Sequence, residues 1–251
     1  MTDETQPDAA TPDAAPAEEA PTYPLGSPED LAARSAKPDG ELSDDFILYL
    51  FRDAWSPWLV HILTVDGIEG AEVPPRLIRV RHAPSPDLTT FATLTGSRFV
   101  DADGRLADNM SGEPVPIHVE YSMIVRADQE AEAMPGIRFV LQQLYGGQAV
   151  PEGITGGPVF GIDAIGAGVS ASHMLVTQNR WGFGQQPMRD RVLEMLQVLP
   201  ITPEEEEYCA DHGYSGILGA INGNLLDPSD LRRGSVVARG ATGEWVPVFP
   251  D

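Results

Sequence analysis

Apolar and polar positions along this chain change period several times, and the changes mark its elements. Phe46, Ile47, Leu50 and Phe51 recur at helical spacing behind Ser43 and Asp44, which predicts an amphipathic helix. Around Pro57 the period shifts towards two. Residues 58–65 predict a strand ended by Asp66-Gly67, and residues 77–82 a half-buried strand with Leu77, Arg79 and Arg81 on one face. Residues 89–95 are rich in β-branched side chains and predict the next strand. After the turn signal Asp101–Gly104, the clearest alternation runs over residues 116–126. There Ile117, Val119, Tyr121, Met123 and Val125 face one way, and His118, Glu120 and Ser122 the other, so one buried face is expected.

The period then returns to helical. Asp128 is the expected cap of a helix over 129–145, with Pro135-Gly136 a possible break and Ile137, Val140, Leu141 and Leu144 on its core side. Residues 148–171 are glycine-rich around the apolar run 159–165. Two short apolar runs, 173–177 and 192–199, predict buried strands separated by a Trp/Gly/Gln/Pro loop. A helix start with several agreeing signals follows. Thr202 and Glu205 form a capping box, Pro203 takes the first helical position, and Glu204 and Glu205 meet the positive end of the helix dipole. Gly213 should stop that helix. Ser215 can cap a second one that buries Ile217, Leu218 and Ile221 and ends at Gly223. Residues 235–239 and 244–248 flank Gly240–Gly243 as a hairpin. Strands and helices do not alternate regularly. The expected class is therefore α+β, a mixed and mostly antiparallel sheet with packed helices.

The expected organisation has three parts. Residues 1–40 form an acidic Pro/Ala-rich tail, with a short helix over 27–36; its first twenty residues carry six acids and no base, a composition that cannot bury enough apolar surface to offset ordering. Residues 41–222 form the domain, and residues 223–251 a C-terminal extension holding the hairpin.

Charge narrows the function classes. A formal net charge of −22 repels phosphates and anionic membranes and favours basic partners, so neither nucleic acid nor membrane is expected as a ligand. The single Cys209 cannot close an internal disulfide, no apolar run reaches spanning length, and the acidic start lacks a secretory pattern. A cytoplasmic location is the expectation.

Candidate chemistry is sparse. Gly166–Ala171 has the letters of a dinucleotide loop, but strand-like sequence rather than a helix follows it. Asp101 and Asp103 lack the remainder of a calcium loop. Cys209 and His212 sit three apart near a helix end. With His173 and an acid such as Asp211 they could hold zinc, or act as a Cys–His pair in a small hydrolase. No second ligand pair supports zinc, and four preceding glutamates oppose a thiolate. A buried structural cysteine is the simpler reading, and no cofactor or metal is expected.

Six blocks carry a resemblance. "FATLTGSRFVDADG", "HVEYSMIVR", "MPGIRFVLQQLYGGQ", "SHMLVTQ", "VLEMLQVLPIT" and "EEEEYCADHGYSGILGAI" come in an order and spacing that resemble the Suppressor-of-fused family. The resemblance covers about residues 44–221 and implies a sandwich fold without a catalytic site. It also implies a protein partner. Animal members hold transcription factors by clamping an extended peptide between two domains, and bacterial relatives are proposed to be immunity proteins that neutralise toxins. With about 30 residues after Ile221, the two-domain clamp of the animal members is not expected here. "TLTGS" also departs from the family's Gly-Leu-Ser order. By block pairing, the family's peptide-contacting acid falls on Asp101. The expectation is a non-enzymatic binding protein for a partner such as a basic toxin domain.

Overall fold

The computed structural model describes residues 60–94, 104–146, 159–161, 169–171, 173–178, 184–223 and 227–248. The helix expected at 44–51, the acidic tail and Asp101 lie outside these residues.

Among the described residues, the main sheet has nine strands: β1 (Val60–Thr64), β2 (Arg76–Arg81), β3 (Leu88–Thr93), β4 (Leu106–Asp108), β5 (Pro114–Arg126), β6 (Val159–Gly161), β7 (His173–Gln178), β8 (Gln185–Pro187) and β9 (Val192–Ile201). The order across the sheet is β1-β2-β3-β5-β9-β7-β6, with β4 added to β5 and β8 to β9. Every pair is antiparallel except β5 with β9, whose register runs from Ile117 opposite Val192 to Met123 opposite Val198. The sheet is mixed and mostly antiparallel, as the α+β expectation has it.

Two helices cover opposite faces. α1 (Glu130–Tyr145) turns Ala133, Ile137, Leu141 and Leu144 onto the face made by Leu77, Phe91, Tyr121, Met123, Val125 and Val198. α2 (Pro203–Gly223) lays Ile217 and Ile221 against Leu175, Leu199 and Ile201 on the other face. Coverage on both sides corrects two expectations. β5 is not half-buried, because Glu120 is 0% and Ser122 2% exposed, and β2 buries Leu77, Ile78 and Val80 alike. β9 is buried along its whole length, the usual state of a strand between two covered faces.

Local chemistry explains where the helices begin. In α2, Thr202 N–H donates to the Glu205 carboxylate at 3.0 Å and Glu205 N–H donates back to the Thr202 hydroxyl at 3.3 Å, which is the capping box the sequence predicts. Gly213, at φ 74°, breaks the helical path between its two halves. α1 starts differently from expectation. A 3₁₀ turn over Ala127–Gln129 precedes it and no side chain caps it. Asp128 instead lies 3.7 Å from Arg126 and from Arg232. Pro135 stays inside the helix without interrupting it.

The C-terminal segment is packed into both cores. Leu231 joins the α1 side, while Val236 and Val237 join the α2 side. Gln129 clamps it by accepting from Leu231 N–H at 2.7 Å and donating to Asp230 at 2.6 Å. β10 (Val237–Arg239) and β11 (Trp245–Pro247) form the expected hairpin.

Candidate partner-binding surface

The chain downstream of Asp101 builds a hydrogen-bonded platform. Gly104 has φ 63°, a conformation that favours glycine, and turns the chain into β4. Arg105 then reaches across to β9 and donates to Glu194 at 2.7 Å, while Gln185 on β8 donates to the same carboxylate at 2.9 Å. Glu194 is 3% exposed, so its ion pair with Arg105, just before β4, and its bond from Gln185 on β8 tie these strands to β9 from a sheltered position. The turn after β4 is held by Asn109. Its carbonyl oxygen accepts from Ser111 N–H at 2.8 Å and Glu113 N–H at 2.9 Å, and its amide donates to Arg189 O at 2.7 Å. Met110 N–H donates to Met188 O, which joins this turn to the one before β9.

The platform presents backbone and apolar surface. Ile117 N–H donates to Arg105 O, and Asn109 N–H to Glu113 O. Residues 105, 107 and 109 therefore face β5, and the peptide groups of Leu106 and Asp108 face outward. Among the described residues, β5 is the only neighbour of β4. Leu106 is 61% exposed and Met110 78%. Such an edge can take an added strand by main-chain hydrogen bonding.

Several buried polar side chains elsewhere are engaged inside the fold. Glu205, 0% exposed, receives Arg233 Nη1 at 2.5 Å and Nη2 at 2.8 Å, besides Thr202 N–H and Val236 N–H. Thr93 donates to Glu120 and accepts from Tyr121 N–H. Thr89, Arg79 and Arg81 all donate to Glu130. Burial would raise the Glu130 carboxyl, but bonds from Arg81 and Thr89 and the charges of both arginines hold it below its ordinary range.

The residues of the zinc or hydrolase alternative are placed but not assembled. Among the described residues, no group of three or more His, Cys, Asp or Glu side chains could hold a metal ion. His173 opens β7 opposite Ile201. Cys209 packs against the α2-side core, and burial first, then Glu206, pushes its thiol up, opposite to what a nucleophile needs. His212 stacks on Tyr208 with ring centroids 4.2 Å apart. Asp211 accepts from Trp245 Nε1 at 2.7 Å and Arg239 at 2.8 Å, bonds that lower its carboxyl and clasp the hairpin to α2. The α2 residues of this set thus serve packing and hairpin attachment.

Sequence reasoning overlooked β4, β8, Leu106 and Met110. Strands of three residues carry no measurable period, and two apolar residues beside turn signals give no pattern.

No protein-family model matches the chain, and no curated protein matches it. Solved structures do. A Suppressor-of-fused homologue from Neisseria gonorrhoeae superposes with a TM-score of 0.52 at 14% identity, over 72% of this chain and 89% of that one. The Sufu–Fu complex gives 0.49 at 13% identity, over 76% and 89%. Drosophila Suppressor of Fused gives 0.41 at 14% identity, over 70% of this chain and 42% of that one. The chain has a Suppressor-of-fused-like fold, as the six sequence blocks imply. Among the described residues, no helix is long and apolar enough to cross a membrane.

Proposed function

We propose that this chain is a non-catalytic, cytoplasmic protein-binding module of the immunity type, which binds and neutralises a basic toxin domain. The observation that carries the reading is the exposed β4 edge, with Leu106 and Met110 beside it, on a Suppressor-of-fused-like fold. An added strand gains affinity from main-chain bonds and specificity from the side chains that flank it. The net charge of −22 supports a basic partner, because complementary charge speeds encounter and disfavours acidic competitors. Asp101, which precedes β4 in the chain, is the proposed partner-contacting acid.

The test is affinity capture of the full chain from its native cell, followed by titration of the captured protein against wild type and Asp101→Asn. The expected result is a basic polypeptide bound one to one, with weaker binding by the variant. Stoichiometric zinc together with turnover of a small molecule, and no protein captured, would overturn the proposal.

A further inference from the structure

Among the described residues, the main sheet has a second unpaired edge, away from β4 in the sheet order. β1 is its outermost strand on the β2 side. Its ladder runs from Val60 opposite Val80 to Thr64 opposite Arg76. Val65 N–H donates to Pro75 O at 2.9 Å, which sets the parity of the strand. Residues 61, 63 and 65 turn their peptide groups to β2, and Val60, Ile62 and Thr64 turn theirs outward. Among the described residues, nothing pairs with them.

Natural edge strands are usually blunted by lysine, proline or an inward charge. β1 reads Val-His-Ile-Leu-Thr and has none of these. Its side chains are accessible: His61 and Thr64 are exposed, and Ile62 is 36% exposed. The loop that follows is acidic, with Asp66, Glu69 and Glu72 all exposed, and it carries Val73 at 67% exposure. β1 offers five residues of edge where β4 offers three.

We propose that the β1 edge accepts an extended, basic segment of another polypeptide as an added strand. Main-chain bonds form at Val60, Ile62 and Thr64, an apolar side chain of the segment lies beside Ile62, and a lysine or arginine faces Asp66, Glu69 and Glu72. Charge selects this occupant over a second copy of the chain, which would bring the same net charge of −22 to the edge. The inference rests on the polypeptide-binding reading but places the contact away from Asp101.

The experiment uses the full chain and a synthetic seven-residue peptide alternating valine with lysine and threonine. Amide hydrogen exchange is followed by NMR. At saturation, the outward amides of Ile62 and Thr64 should exchange roughly tenfold more slowly, while the inward amides of His61 and Leu63 are already protected. Ile62→Pro removes an outward N–H only, a place where an edge strand tolerates proline, and should abolish the effect. Asp66→Asn/Glu69→Gln/Glu72→Gln leaves β1 itself untouched and should weaken binding several-fold in a salt-dependent way. The proposal is overturned by equal binding of a peptide with glutamate in place of lysine, by protection at Leu106 and Asp108 instead, or by no binding. It is overturned equally if Ile62 and Thr64 become protected with rising chain concentration and no peptide, which would assign the edge to a second copy. Peptide protection at β1 is read without the native partner, so its loss and an unaltered Asp101→Asn variant are separate failures.

Discussion

Replacing Arg233 by methionine is expected to be the most damaging single change in the C-terminal segment. The Arg233 side chain is 2% exposed and that of its partner Glu205 0%. The guanidinium gives both Nη atoms to the carboxylate and also donates to Pro200 O at 3.1 Å and Gly234 O at 3.0 Å. Removing it leaves a carboxylate buried with only the Thr202 and Val236 N–H groups, and two carbonyls without that donor. Truncating one partner of a buried pair costs about 3–5 kcal/mol. With a urea slope of about 2 kcal/mol/M, the unfolding midpoint of Arg233→Met should fall by about 1.5–2.5 M at unchanged slope. The double variant Arg233→Met/Glu205→Leu removes both charges and should recover much of this. It should still lose about 1–2 kcal/mol, because Glu205 also completes the α2 capping box. The assay is urea unfolding followed by far-UV circular dichroism at neutral pH. A loss below about 1 kcal/mol for the single variant would refute the reasoning, since an uncompensated buried charge cannot be that cheap.

Leu141→Ala, at a fully buried site under α1, should cost about 2–5 kcal/mol in the same assay, and a loss under 1 kcal/mol would mean that α1 is not seated as described. Cys209 should react with iodoacetamide more slowly than free cysteine at pH 7 and accelerate as pH rises, because burial and Glu206 disfavour its thiolate; a rate matching free cysteine would contradict this. Glu130 has a folded-state carboxyl held below its ordinary range. Its stabilisation is present above the unfolded carboxylate pKa and is lost as pH falls through the folded one. The stability gap between wild type and Glu130→Gln should therefore narrow on acidification below about pH 4.5, and a gap that widens would reverse the sign of the argument.

Legibility in the sequence followed the range of the interactions. The start of α2 was readable because Thr202, Pro203 and Glu205 carry their signals within four residues, and the structure forms those bonds. β9 and β7 were readable from apolar runs bounded by breakers. The second partner of Glu205 was not, because Arg233 lies 28 residues further on and nothing local marks it as buried. The alternation in β5 was correct, but its meaning was not. Glu120 and Ser122 look like a solvent face in sequence, and only the three-dimensional arrangement shows them buried. The same limit governs the site. Cys209 and His212 are close in sequence, yet one packs against the core and the other stacks on Tyr208. That β1 and β4 have an unpaired edge among the described residues is a property of strand order, which no local window contains.

The central claim is that strand edges of this sheet, rather than a pocket of reacting side chains, are what a partner engages. Amide hydrogen exchange of the full chain with and without its captured protein tests it directly. New protection should be confined to outward amides of the open edges, Leu106 and Asp108 or Ile62 and Thr64, with His173 and Cys209–His212 unchanged. Protection centred on those histidines and the cysteine, with the edges still exchanging freely, would contradict the account.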